Sequence, residues 1–286
     1  MKIVVYGLAK SGTSALFYKI RNSLAPGTIE LFEPSSYGTA DHFRARLRAL
    51  RRGHIAPDVL AKVLPWDLIP VRMRDFDRFD RQLLLVRDPR DRLVSDLLYR
   101  SYNSAFADGD PPALEFLRLL KAKEAEPGRI PILRLVEAFD TLEEAAGSRA
   151  DWIDGYRTGG LLEPMRFHDE RRRLAIFRYE QLVDSRFEAL EAALDMPLAG
   201  SAAVPPAFNR VVRTKRYGAW RDWFTGQDVD ALRPILTPYL DRYYPCADWD
   251  LAPSPRLDPD DGSRYVERII GERRALMDLP PLPVPR

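Results

Sequence analysis

Residues Gly7-Leu8-Ala9-Lys10-Ser11-Gly12-Thr13-Ser14 follow an apolar, strand-like run and open a helical pattern. In that context a glycine-bearing loop turns backbone N–H groups and the positive end of a helix toward an anion, so the segment predicts a phosphate cradle. Its glycines stand five apart, as in G-x-x-x-x-G-K-[ST], yet Thr13 holds the lysine position of that motif and the lysine has moved up to Lys10. A nucleoside triphosphate needs lysine at its β and γ phosphates and usually Mg²⁺. A lysine placed early in the loop suits a less charged transferred group, where one cation bridges a phosphate and the leaving oxygen without metal. A second anion anchor is the run from Leu83 to Asp96, read as strand, turn and helix, with Arg87 at the strand's carboxyl end and Ser95 eight residues on. Ligands collect at that edge of open α/β sheets, and an arginine with a helix-borne hydroxyl holds a phosphate dianion by charge-assisted hydrogen bonds. Arg90 and Arg92 in the same run are expected to be solvated or paired with Asp88, Asp91 and Asp96.

Together these runs resemble the PAPS-dependent sulfotransferases, of the bacterial type that uses glutamate as base (PAPS, 3'-phosphoadenosine 5'-phosphosulfate). Lys10-Ser11-Gly12-Thr13 is similar to the family's 5'-phosphosulfate loop, and Arg87 with Ser95 to its 3'-phosphate motif. Phe177-Arg178-Tyr179-Glu180-Gln181-Leu182-Val183 resembles the strand that ends in a Tyr-Glu-Asp-Leu-like turn, which assigns Tyr179 to the adenine. The stretch from Arg213 to Arg221 resembles the closing Arg-Lys-Gly…Gly-x-Trp segment, with Arg213 on its arginine and Gly218 and Trp220 on its end. Thr214 and Lys215 fall on the family's Lys and Gly, so the side chain of Lys215 or Arg216 is expected to replace a backbone contact. The resemblance runs from residue 2 to about residue 225. It implies PAPS as co-substrate, with Lys10, Ser11, Gly12, Thr13, Ser14, Arg87, Ser95, Tyr179, Arg213, Lys215 and Arg216 as its binding residues, and no metal.

Transfer to an acceptor hydroxyl or amine needs a base within hydrogen-bond reach. In the family's histidine branch the base lies two residues after a strand lysine; here that strand reads Lys62-Val63-Leu64-Pro65, with leucine in its place. Glutamate-based members place the carboxylate at the end of the second strand, and that position is Glu33 in Ile29-Glu30-Leu31-Phe32-Glu33-Pro34. Glu33 is therefore the expected base, His54 the reserve, and Lys10 and Lys62 the cations flanking the transferring group. The tryptophan that many relatives carry after the loop for stacking on adenine is Ala15 here. Two other readings are a P-loop phosphotransferase using a nucleoside triphosphate, and a nucleotide-binding relative without catalysis.

The elements that must position these residues are legible as periodicity. Five short apolar runs, Ile3 to Tyr6, Ile29 to Phe32, Leu60 to Leu64, Leu83 to Val86 and Leu174 to Phe177, read as buried strands separated by helical patterns. Strand alternating with helix predicts an α/β protein of the three-layer P-loop kind, with a central parallel sheet flanked by helices. Between residues 101 and 173 the strand signal disappears, which predicts a helical insertion with patches at Leu114 to Lys121 and Leu133 to Leu142, broken at 109–112, 127–131 and 159–164. The expected organisation is one domain over 1–275 and a proline-rich, extended tail over 276–286. The stretch from Phe43 to Arg52, rich in arginine, reads as a solvated helix face.

Composition narrows the class. A formal charge of +2 does not argue for nucleic acid or a membrane surface as partner, and one cysteine among 286 residues rules out an intrachain disulfide. Three scattered histidines have no metal-ligand spacing. With no stretch approaching a membrane span or signal segment, a cytoplasmic protein acting on a small-molecule or carbohydrate acceptor is expected.

Overall fold

The computed structural model describes residues 1–37, 48, 58–66, 70–103, 109–145, 151–206, 210 and 212–283. In chain order the elements are β1 (Lys2–Gly7), α1 (Thr13–Arg21), β2 (Ile29–Phe32), β3 (Val59–Val63), β4 (Arg81–Val86), α2 (Pro89–Asn103), α3 (Asp110–Ala125) and α4 (Ile132–Ala145). They continue with α5 (Trp152–Arg157), α6 (Glu163–Asp169), β5 (Leu174–Arg178), α7 (Tyr179–Val183), α8 (Glu188–Leu194), α9 (Trp220–Trp223), α10 (Gly226–Tyr243) and α11 (Ser263–Leu276). All five expected strands form. They make one parallel sheet in the order β2-β3-β1-β4-β5, so the chain is an α/β protein. His54 and, apart from Arg48, the stretch 43–52 lie outside the described residues.

The described residues fall into two compact units, Met1–Arg87 with Leu162–Asn209, and Asp88–Leu161 with Arg210–Arg286. The first holds the sheet. Every residue of β3 is buried, the signature of a parallel strand covered on both faces. Alternate residues of β1 point to opposite sides: Ile3 and Val5 pack with Leu16, Phe17 and Ile20 of α1 and with Leu190 and Leu194 of α8. On the other side Tyr6 meets Phe167 of α6 edge-on, ring centroids 4.9 Å apart. Helices thus flank both faces of the sheet.

Among its described residues the second unit is helical. The expected patches at Leu114 to Lys121 and Leu133 to Leu142 lie in α3 and α4. Pro111 and Pro112, read as a break, instead open α3 in its first turn, where a missing N–H costs nothing. Gly159 and Gly160 do not end a helix either; they sit in a π-helical turn, Thr158–Leu162, and Pro164 opens α6. The unit also draws in α10 and α11, which the strand-and-helix reading of the sequence left unnoticed. At the end of α11 the chain is tied back, with Arg274 Nε donating to the Pro280 carbonyl at 2.6 Å and the Leu279 amide to the Arg274 carbonyl at 2.9 Å.

A buried cation closes α3. Lys123 is fully buried, and its ammonium donates to the carbonyls of Ile130 at 2.5 Å and Pro127 at 3.3 Å. Burial holds its pKa down at about 8, against an opposing pull from Asp228. Between that value and the unfolded value of 10.5 the unfolded chain keeps a proton that the folded chain has released, so this lysine makes stability rise with pH. Above pH 10 Tyr6 and Tyr265 reverse the trend, because burial pushes their hydroxyls up and only the unfolded tyrosines ionise there. Chemical denaturation is expected to show stability climbing by about 1–3 kcal/mol between pH 8 and pH 10. The climb should be absent in Lys123→Met; an equal climb in that variant would assign it to other groups.

Candidate active site

The loop after β1 has the backbone of an anion cradle. Gly12 stands at the N-cap of α1 with φ 90° and Lys10 has φ 65°, while Ser11 and Thr13 are buried at 1% and 4% exposure. Positive φ at Lys10 and Gly12 curls the chain so that successive N–H groups converge at the start of α1. Gly12 is required twice over. Its φ lies in the left-handed region, and a Cβ there would sit 2.4 Å from Cδ2 of Tyr179. Gly12→Ala is expected to cost about 1–3 kcal/mol of stability and to abolish anion binding at the loop, as read by thermal melting with and without nucleotide.

At the carboxyl ends of β2 and β3, two predicted catalytic side chains meet. Lys62 is buried at 3% exposure, its ammonium donating to Glu33 Oε1 at 2.5 Å and to Ser14 Oγ at 2.9 Å, and lying 4.1 Å from the Phe32 ring centroid. Glu33 follows β2 and is fastened to β3 by its own amide, which donates to the Lys62 carbonyl at 2.9 Å. Its φ of 53° turns the chain out of the strand while its side chain stays 43% exposed. Only five described non-glycine residues have positive φ, and two of them are Lys10 and Glu33. Strained backbone of this kind concentrates where a side chain must be aimed. The carboxylate therefore keeps an open side for a proton while its other side is pinned by a buried cation.

Arg87 follows β4 at 4% exposure. One end of its guanidinium, Nη1, donates to the Lys10 carbonyl at 2.8 Å, and Cζ lies 4.3 Å from the centroid of Tyr179. Its Nε and Nη2 are buried without a hydrogen-bond partner among the described residues. Buried N–H groups of a charged arginine are almost always satisfied, and acceptor oxygens of an anion could satisfy these two. Tyr179 reaches the loop because β5 ends at Arg178, whose amide donates to Gln181 Oε1 at 3.1 Å and starts the short α7. Leu64 is buried just past β3, and Ala15 packs against the apolar core.

Within the second unit α2 carries Ser95, buried at 3% exposure. Arg213 is buried and its Nη1 donates to the Asp261 carbonyl at 3.0 Å; Arg216 pairs with the Asp261 carboxylate, and Lys215 is exposed. Arg90 and Arg92 are buried rather than solvated. Arg90 does pair with Asp88 as expected, in a two-pronged contact at 2.9 and 2.6 Å, and lies over the Trp220 ring at 3.9 Å. Arg92 lies 4.0 Å over Tyr156 and donates to the Gly160 carbonyl at 3.2 Å. The residue sequence reasoning missed is Asp91, whose carboxylate accepts from the amides of Gly218 at 2.5 Å and Trp220 at 2.9 Å. It fastens the Gly-x-Trp segment to α2, with Gly218 at φ 79°. An aspartate in the first turn after the arginine strand was the available signal, and the sequence reading gave it only as a pairing partner for Arg90 or Arg92.

Sequence and structure thus bring Lys10, Ser11, Gly12, Thr13, Ser14, Glu33, Lys62, Arg87 and Tyr179 into one unit, and Ser95, Arg213, Lys215 and Arg216 into the other. Among the described residues no group of histidine, cysteine and carboxylate side chains is placed to hold a metal ion, and no helix is long and apolar enough to cross a membrane. No protein-family model matches the chain, and no curated protein matches it. Among solved structures it is similar to mouse sulfotransferase SULT7A1 complexed with PAP, at 16% identity and a TM-score of 0.48, over 85% of this chain and 86% of that one. At that distance no residue's role rests on the likeness.

Proposed function

We propose that this protein is a sulfotransferase that moves a sulfuryl group from PAPS to a hydroxyl or amine of a small-molecule or carbohydrate acceptor. The observation that carries the reading is Arg87: a buried guanidinium anchored to the glycine loop through Lys10, with two N–H directions left for an anion beside the one the loop would cradle. A donor with two separate anionic groups, a 5'-phosphosulfate and a 3'-phosphate, matches that pair. A nucleoside triphosphate carries all its phosphates in one 5' chain and has no separate phosphate on the ribose to offer, and Thr13 stands where its lysine is needed.

In the reaction the acceptor oxygen or nitrogen attacks sulfur as the bond from sulfur to the 5'-phosphate oxygen breaks, and adenosine 3',5'-bisphosphate leaves. Glu33 takes the acceptor's proton on its open side. Lys10 and Lys62 stabilise the charge gathering on the leaving phosphate, each by about 3–4 kcal/mol. To Ser95, Arg213, Lys215 and Arg216 the proposal gives the 3'-phosphate, on the motifs alone. A cytoplasmic setting and a metal-free donor site belong to the same reading.

Adenosine 3',5'-bisphosphate is expected to raise the melting temperature without added metal, and ³⁵S-labelled PAPS to label a member of an alcohol, sugar, phenol and amine panel. Stabilisation by ATP with Mg²⁺ and not by the bisphosphate would replace this reading with a phosphotransferase. Binding without label transfer to any acceptor would favour a non-catalytic relative.

A further inference from the structure

Tyr179 touches the two halves of the donor site at once. The edge of its ring occupies the space that a Gly12 side chain would fill, and its centroid lies 4.3 Å from the Arg87 guanidinium carbon. The ring itself is buried at 7% exposure and belongs to the apolar cluster that includes Leu85 and Phe177, so it is held from behind by the sheet. Arg87 is therefore gripped at two points, by the Lys10 carbonyl at Nη1 and by the π-face attraction of this ring. Neither grip uses Nε or Nη2. A free arginine side chain has many rotamers, and fixing one beforehand removes the ordering cost from anion binding.

We infer that Tyr179 is a positioning residue for Arg87, setting the guanidinium for the 3'-phosphate, rather than a platform on which the adenine stacks. The inference rests on the sulfuryl-donor reading above and adds a specificity determinant to it. Tyr179 selects for the donor's ribose phosphate through the arginine it orients, and its burial follows from that task. The ring is the part to which this task is assigned.

The two roles separate on a pair of nucleotides that share adenine and differ in the 3'-phosphate. Calorimetric dissociation constants for adenosine 3',5'-bisphosphate and adenosine 5'-monophosphate give a selectivity ratio for each variant. Tyr179→Leu is expected to lower that ratio by about tenfold, chiefly by weakening the bisphosphate. Tyr179→Phe, which keeps the ring, should restore the wild-type ratio. In Arg87→Met the ratio should already be lost, and adding Tyr179→Leu should change it no further. Equal weakening of both nucleotides in Tyr179→Leu, or additive losses in the double variant, would overturn the inference in favour of direct adenine contact. If Tyr179→Leu does not fold, 4-cyanophenylalanine at position 179 keeps the ring's shape and withdraws its electrons; an unchanged ratio there overturns the inference as well. Wild-type protein that binds neither nucleotide would show the donor reading itself to be wrong, and this inference would fall with it.

Discussion

Glu33→Gln is expected to reduce sulfuryl transfer by about 10²–10⁴-fold while the dissociation constant for adenosine 3',5'-bisphosphate stays within about threefold of the wild-type value. The amide matches the carboxylate in size and can still accept a hydrogen bond from Lys62, which sits 2.5 Å from Glu33 Oε1. It cannot take the acceptor's proton. Because Lys62 keeps its bond to Ser14 at 2.9 Å, the lysine should hold its place at the start of α1, which is why nucleotide binding is spared. Glu33 is 43% exposed, so solvent screens the ion pair and the stability change should stay within about 1 kcal/mol. Rate constants under saturating PAPS, with calorimetric binding alongside, make the check. A fully active Glu33→Gln enzyme would remove Glu33 as base and return the role to another group, His54 first among the candidates in the sequence.

The largest stability effect is expected at Asp228. This carboxylate is fully buried and accepts four hydrogen bonds, from the amides of Ile132 at 3.0 Å, Leu133 at 3.1 Å and Thr225 at 2.7 Å, and from the Thr225 hydroxyl at 2.9 Å. Two of those donors are orphan N–H groups at the start of α4, and the Thr225 pair forms a capping box at the start of α10. One side chain thus closes two helix starts, with the buried Lys123 adding a favourable charge. Asp228→Ala leaves several buried donors without an acceptor and a buried cation without its counter-charge. We expect a loss of about 3–5 kcal/mol in chemical denaturation, with Asp228→Asn recovering part of it. A loss below about 1 kcal/mol would mean that water reaches these amides in the variant.

The strands were legible because a parallel strand covered on both faces must be largely apolar, and Ile3 to Tyr6 and Leu83 to Val86 show that directly, as does Leu60 to Leu64 apart from Lys62. The loop from Gly7 to Ser14 was legible for a similar reason: glycine at position 12 and the strand-to-helix change are local requirements, written within eight residues. Helix α10 was harder, because amphipathic periodicity interrupted by Pro234 and Pro238 looks like broken loop sequence until a packed unit is there to hold it. Arg90 and Arg92 show the limit for charged residues. A sequence marks them as surface, and only partners such as Asp88 and Tyr156, supplied by folding, permit their burial.

By itself the sequence determined the sheet, the glycine loop and the residue types available for chemistry, since each depends on periodicity or on backbone freedom within a few neighbouring positions. Tertiary structure alone decided which of those residues touch. That Lys62 bonds Glu33 across 29 positions of chain, that Arg87 is clamped between Lys10 and Tyr179, and that Asp228 reaches Ile132 are consequences of strand order and helix docking. Side chains remote in sequence have no local pattern to record their meeting; the packing of the sheet's carboxyl edge and of the helix starts creates it.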